Sequence, residues 1–239
     1  MVDRTSLFTA DESRRQQALH GFYIAGTAPE KLFDDLAALV AKLFGTPISL
    51  ISLVSRDQVH FKAQAGLPGA TAVPREDSLC SVVVLKSDTV VFENLQKSPC
   101  ALVNPEVAQA LELRFYAGSP LLDENGQAIG ALCVIDHQPR TFTAQEKDLL
   151  QRLASVVMRT VELRLASIKD PSPTNLQLQL AFQSLQYAID RITELLRRPR
   201  AGEGPVARGG DQNFEYRVVN EIIDYVDQFV GGSLQMRHN

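Results

Sequence analysis

The chain has no tryptophan and only three cysteines and three methionines among 239 residues. Three thiols cannot build a disulfide framework, and none stands at a zinc-ligand spacing. The sequence therefore predicts a protein of a reducing compartment, expected to be cytoplasmic. No stretch approaches the ~20 uninterrupted apolar residues of a membrane-spanning helix. The opening MVDRTSLFTADESRRQQ is too polar for a signal peptide, so no membrane partner is expected. Positive charge is not in excess either. Lys and Arg number 24 against 28 Asp and Glu, a net charge of −4, which argues against the concentrated basic face of a general nucleic-acid binder. There is no Gly-x-Ser-x-Gly, no phosphate-cradling glycine loop and no interpretable carboxylate pair. The four histidines, at 20, 60, 137 and 238, are not spaced as ligands on one helix face, so no metal is expected. What is present is 45% hydrophobic and 22% charged residues, the composition of an ordinary cored globule.

Thr9-Ala-Asp-Glu12, Thr27-Ala-Pro-Glu30 and Thr143-Ala-Gln-Glu146 each place a hydroxyl three residues before a glutamate, the pattern of a capping box at a helix start. Leu32, Leu36, Leu39 and Leu43 then give a helical stripe ending near Gly45. Pro47–Val54 is short, apolar and rich in β-branched residues, and reads as a buried strand. Arg56-Asp57-Gln58 turns it into a second arm over 59–64. Thr89–Phe92 is a further short strand, and Arg114–Leu122 and Ala128–Ile135 flank a turn marked by Asn125-Gly126. Five strands with helices before, between and after them predict an α+β domain over about 25–165.

Beyond it, Lys169-Asp-Pro-Ser-Pro-Thr174 breaks the helix begun at Thr143. Leu178, Phe182, Leu185, Ile189, Ile192 and Leu196 form a seam of coiled-coil type. Residues 198–213 are rich in Gly, Pro and Arg and read as a flexible linker. The cluster Arg197, Arg198, Arg200 and Arg208, with Glu203 in its midst, reads as a solvated segment more than a contact for nucleic acid or acidic lipid. From Phe214 the pattern is helical, with apolar rows Val218/Ile222/Tyr225/Phe229 and Val219/Ile223/Val226/Val230 that call for a packing partner. The expected organisation is a sensory domain with flanking helices at 1–168, a coiled-coil-like helix at 169–197, a linker at 198–213 and an amphipathic helix at 214–239.

Six blocks carry a family resemblance: Arg14-Arg15 with Ala18-Leu19; Pro29–Leu36; Ile51–Val54 with Phe61-Lys62-Ala63; Pro74-Arg-Glu-Asp-Ser-Leu-Cys80; Arg114–Pro120; and Gly130–Asp136 with Pro139-Arg140. In this order they resemble the GAF domains at the N-termini of bacterial sensor histidine kinases and diguanylate cyclases, over about residues 10–165. The resemblance implies a central antiparallel sheet of about six strands, a helical bundle on one face and a small-molecule pocket on the other. Ser52, His60, Phe61, Ser78, Cys80, Phe92, Arg114 and Tyr116 are its expected ligand-binding residues. It also implies a signalling role; the apolar seams of the helices at 10–23, 143–168 and 176–196 suit pairing with a second copy, so a homodimer is expected, with an output protein acted on in trans. A pocket filled by its own side chains, among them Phe61, Phe92 and Phe115, is the ligand-free alternative.

Cys80 is either a thiol activated at a helix N-terminus or a small buried hydrophobe. Cys100, in a loop, is expected to be exposed, and Cys133, on an apolar strand, to be core. Because free methionine-R-sulfoxide reductases are also GAF domains, Cys80 and Cys100 form an alternative catalytic pair. The flanking residues Leu79 and Ser81 depart from that family's pattern. A covalent bilin is not expected, since no cysteine here is followed by histidine. Periodicity leaves open whether Arg114 and Tyr116 or Phe115 faces the pocket; in the first case guanidinium and phenol suit a carboxylate or phosphate. His60 and Phe61 alternate, so only one of them faces the same side. At Asn104-Pro105, simple helix capping is the expectation.

Overall fold

A computed structural model describes residues 4–67, 69–169 and 176–195, together with Arg217, Val219, Asn220, Ile223 and Asp224. The expected linker at 198–213 lies outside the described residues, as does most of the expected helix at 214–239. The chain divides into two compact units, residues 1–161 and 162–239.

In the first unit, after a 3-10 turn at Arg4–Leu7, helices α1 (Glu12–Gly21) and α2 (Lys31–Phe44) lead into β1 (Ile48–Val54) and β2 (Gln58–Ala65). A short β3 (Ala72–Pro74), a 3-10 turn at Arg75–Asp77, α3 (Cys80–Val83), β4 (Val90–Phe92) and α4 (Pro105–Ala110) follow. Then come β5 (Phe115–Leu122), β6 (Ala128–Asp136) and α5 (Ala144–Lys169), which runs into the second unit. All six strands join one antiparallel sheet in the order β3-β2-β1-β6-β5-β4. This is the α+β architecture that the GAF resemblance implies. The sixth strand, β3, is only three residues long and lacks a readable alternation.

The sheet is two-sided because both faces are covered. Helix α2 lies over β1, β2 and β6, while α3 packs on β1, β5 and β6. Register settles which residues share a face. Leu50 pairs with Cys133 and Ile48 with Ile135, and Tyr116 and Gly118 on β5 pair with Ile135 and Cys133. Leu50, Cys133 and Tyr116 belong to the hydrophobic cluster that includes α3. On β2 a bulge opposite Ile51/Ser52 inserts Lys62. Its ammonium reaches Glu30 (2.6 Å), Thr27 Oγ1 (2.9 Å) and the Ala28 carbonyl (2.7 Å), over the Phe33 ring.

That lysine explains why one expected capping box is missing. Thr27 and Glu30 serve the buried ammonium, and α2 starts without a side-chain cap. At the N-terminus Asp11, not Thr9, caps α1 by accepting from Arg14 N–H (3.2 Å), while Glu12 accepts from both Thr9 Oγ1 and the neighbouring arginines. The third box forms as expected, with Thr143 N–H on Glu146 (2.7 Å) and Glu146 N–H on Thr143 Oγ1 (3.2 Å). The buried face of α2 is Phe33, Leu36, Ala37, Leu39, Val40, Ala41 and Phe44, so Leu36 and Leu39 are buried as expected while Leu32 and Leu43 lie at its margins. Gly45, at φ 58°, closes the helix in the left-handed region.

The second unit contains the end of α5 and α6 (Leu176–Leu195). Of the expected seam, Leu185, Ile189 and Ile192 are buried within the single chain and Phe182 is half-buried. The side chains of Leu178 and Leu196 lie outside the described residues. Val219 and Ile223, from one of the two C-terminal apolar rows, are also buried.

Candidate functional site

On the sheet face under α3, two thiols and three hydroxyls converge. Cys80, the first residue of α3, lies with its sulfur 3.9 Å from that of Cys133 on β6. Tyr116 Oη donates to Cys80 Sγ (3.4 Å), Cys80 N–H donates to Ser78 Oγ (3.3 Å), and Ser52, also beside Cys80, donates to the Ala131 carbonyl (3.1 Å). Gly118 makes room for this arrangement. A methyl group there would stand 2.5 Å from Tyr116 Oη and 2.9 Å from Val83 Cγ2. Ser52, Cys80, Tyr116 and Cys133 are essentially fully buried and Ser78 nearly so. The hydrogen bond with Cys133 pulls the Cys80 thiol below its ordinary range, against the opposing effect of burial and with help from Ser52, Tyr116 and Ser78. Burial pushes Cys133 and Tyr116 well up, reinforced by the adjoining sulfur. The two thiols are close enough that charge on one sulfur opposes charge on the other.

Beside the cluster lies a cavity of about 290 Å³, lined by Leu79, Leu95, Cys100, Val103, Leu113 and Arg114 among others. Its two walls are tied by Asn104. That residue caps α4 by accepting from Glu106 N–H (3.1 Å), donates its amide to Asp77 (3.2 Å), and sends its backbone N–H to the Glu76 carbonyl (2.8 Å). Arg114 has its backbone fixed by Asp136 and Leu95. Its guanidinium makes no hydrogen bond or ion pair with any described residue.

Residues 28–161, more than half of the chain, match the GAF domain family. The chain belongs to the GAF family, a family of sensory modules in signalling proteins. It is 31% identical over 181 residues to the cyclic di-GMP phosphodiesterase PA2567 of Pseudomonas aeruginosa, covering 75% of this chain and 30% of that protein. It therefore spans under a third of that relative's length. Among solved structures it is similar to the GAF domain of an Acinetobacter phosphoenolpyruvate-protein phosphotransferase (17% identity, TM-score 0.48, 66% of this chain and 96% of that one). Another is a domain of a two-component sensor histidine kinase from Sinorhizobium meliloti (15% identity, TM-score 0.49, 62% and 100%).

The GAF sheet gathers Ser52, Ser78, Cys80 and Tyr116 into the buried cluster. Phe61 and Phe92 are on the same face and half-buried, with the Phe92 ring 6.4 Å from that of Tyr116. Arg114 lines the cavity and not the cluster. His60 is on the opposite face, paired with Leu53, and lines a separate groove of about 910 Å³ with Phe8, Gln16 and His20 of the N-terminal segment. Phe115 also faces away from the thiols, packing on Phe142 at 5.5 Å under the Arg140 guanidinium. Of the alternating pair on β5, it is Tyr116 that faces the thiols. Cys100 is buried in the cavity wall, contrary to the exposure expected of a loop residue. The sulfur next to Cys80 is that of Cys133, not Cys100.

Two features escaped the sequence reading. Cys133 is core, as expected, but its apolar strand gave no hint that a helix start 53 residues earlier would meet it. The other is a buried ion network. Arg15 donates to Glu12 (2.7 Å) and to the carbonyls of Val54 (2.7 Å) and Ala128 (3.0 Å). Arg75 donates to Glu12 (2.6 Å) and to the carbonyls of Leu7 (2.6 Å) and Ser55 (3.1 Å). Burial alone would raise the Glu12 carboxyl, but hydrogen bonds from Arg15, Arg75 and Gln16 outweigh it and hold the group well below the usual carboxylate range. The available signal was the position of both arginines within the family-like blocks.

Proposed function

We propose that this GAF module binds a small ligand bearing a carboxylate or phosphate and reports its occupancy to an output partner through a homodimer. One observation carries the reading: the guanidinium of Arg114, which has no hydrogen bond or ion pair with any described residue, on the wall of a cavity of mixed polar and apolar lining. A guanidinium left without a protein partner suits bidentate pairing with a planar anion. The volume lies at the small end of ligand pockets, which span ~300–1,000 Å³. Leu79, Leu95, Val103 and Leu113 would take the apolar body of the ligand.

Occupancy has a route to the rest of the domain. Leu79 directly precedes Cys80, and Asn104 links α4 to the segment that contains Arg75. Arg75 in turn holds Glu12 on α1. Signalling requires the ligand to bind one arrangement of these elements more tightly than another. For pairing of two copies, Leu185, Ile189 and Ile192 are already covered, and among the described residues of α5 and α6 Ile168, Leu180 and Tyr187 are the exposed large apolar side chains, worth ~25 cal/mol per Å² buried. Likeness to a cyclic di-GMP phosphodiesterase makes turnover of that nucleotide the output we propose for such a module.

Native mass spectrometry of the purified chain tests both halves. A dimer carrying a retained small molecule, lost in Arg114→Gln, is expected. A bare protein of monomer mass, with light scattering also giving a monomer at micromolar concentration, removes the reading. Turnover of free methionine sulfoxide with a dithiol, abolished by Cys80→Ser, would replace it with the reductase alternative.

A further inference from the structure

Cys80 and Cys133 stand apart from every other polar pair in the domain. They are two sulfurs in van der Waals contact, from elements 53 residues apart, enclosed at 2% and 0% exposure. We propose that they are an oxidisable dithiol that closes into an intramolecular disulfide, tying α3 to the central strand β6. The proposal stands independently of the ligand reading.

A disulfide needs its sulfurs at ~2.05 Å, so the pair must close by roughly 2 Å from its present 3.9 Å. The two partners are unequal in their freedom to move. Cys133 is held between β1 and β5, paired with Leu50 and Gly118. Cys80 begins a four-residue helix entered from Ser78 and Leu79 and is not held in a strand ladder. Among the described residues the third thiol, Cys100, has no sulfur neighbour, and it lines the cavity.

The chemistry balances with hydrogen peroxide as oxidant. Cys80, whose proton is the more weakly held, attacks one peroxide oxygen as thiolate. The O–O bond breaks, hydroxide leaves, and Cys80 becomes a sulfenic acid. The Cys133 sulfur then attacks the Cys80 sulfur, forming S–S and breaking S–O, and the Cys133 proton leaves with the departing hydroxide as water. Two thiols and one peroxide give one disulfide and two waters. Tyr116, already hydrogen-bonded to Cys80 Sγ, is placed to donate to the first thiolate. Burial restricts the reaction to oxidants of about the size of water. Because Leu79 lines the cavity and precedes Cys80, the linked state would also fix one end of that cavity wall.

The test uses the full chain. It is exposed briefly to hydrogen peroxide, quenched, denatured in N-ethylmaleimide and mapped by peptide mass spectrometry. The expected product has lost two hydrogens, contains a linked peptide joining Cys80 to Cys133, and has one alkylated cysteine, Cys100. Dithiothreitol restores three alkylated cysteines. Cys100→Ala keeps the link, and Cys133→Ala, checked for folding by circular dichroism, shows no link and carries Cys80 on to sulfinic acid. If Cys133→Ala does not fold, the linked peptide from the unaltered protein decides. A link through Cys100, sulfinic acid at Cys80 without any link in the unaltered protein, or three free thiols under conditions that fully oxidise glutathione in the same tube would overturn the proposal.

Discussion

Arg75 and Arg114 are the same side chain put to opposite uses. Arg75 is 2% exposed, and both its terminal nitrogens are committed to Glu12 and to main-chain carbonyls, with the guanidinium lying 4.5 Å over the Phe8 ring. Only Nε, itself buried, is left without a hydrogen bond among the described residues, and the work of the group is to hold α1 against the turn that leads to α3. Arg114 is half-buried, backed by apolar side chains, and has no partner among the described residues. The difference teaches how to separate scaffold from recognition in this domain. A buried charge must be satisfied internally or the fold loses stability, whereas a binding charge must be left open until its ligand arrives.

Removing Arg75 is the most forceful way to break the contrast. Arg75→Ala leaves Glu12 partly compensated by Arg15 and orphans the Leu7 and Ser55 carbonyls. We expect a loss of about 3 kcal/mol, at the lower end for a broken buried pair, read by urea unfolding. Acid probes the same network more gently. Because the Glu12 carboxyl is held below its ordinary value of 4.5, its contribution to stability is complete above that value. It drains as pH falls below 4.5, where the unfolded chain takes up a proton that the folded chain refuses. Urea midpoints at neutral and acid pH should therefore fall less steeply in Glu12→Gln than in the unaltered protein. Asn104→Ala should cost about 1 kcal/mol through the lost cap, with amide exchange rising locally in α4. Arg114→Gln sharpens the comparison from the other side. Its stability should stay within about 0.5 kcal/mol of the unaltered protein, while calorimetry shows ligand affinity reduced by the ~1.5–3 kcal/mol of a charged hydrogen bond. An Arg114 variant as unstable as the Arg75 one would erase the distinction.

Much of the fold was legible in local chemistry. Five of six strands, the hairpin at Arg56–Gln58 and the Asn125-Gly126 turn follow from alternation and turn residues, and the closing of α2 from Gly45. The capping boxes were less legible. Thr143-Glu146 is solvent-facing and formed as local pairing dictates, but Thr27-Glu30 lies within reach of a buried lysine that needs acceptors more than the helix needs a cap. A motif that reports local hydrogen bonding loses to a desolvated charge, whose unmet demand costs more. The candidate site was legible in part. Alternation showed that His60 and Phe61 face opposite ways, and Phe115 and Tyr116 likewise, yet it carried no information on which way was which.

What the sequence by itself determined is the set of elements, their order and the family, because periodicity, turn residues and motif order are properties of short stretches. Only tertiary structure decided that Cys133 meets Cys80, that Glu12 is shared by Arg15 and Arg75, and that Arg114 stands open beside a cavity. Each of these depends on the register of β6 between β1 and β5 and on where the chain returns after β3. Such proximity is set by packing between residues dozens of positions apart, and no local pattern encodes it.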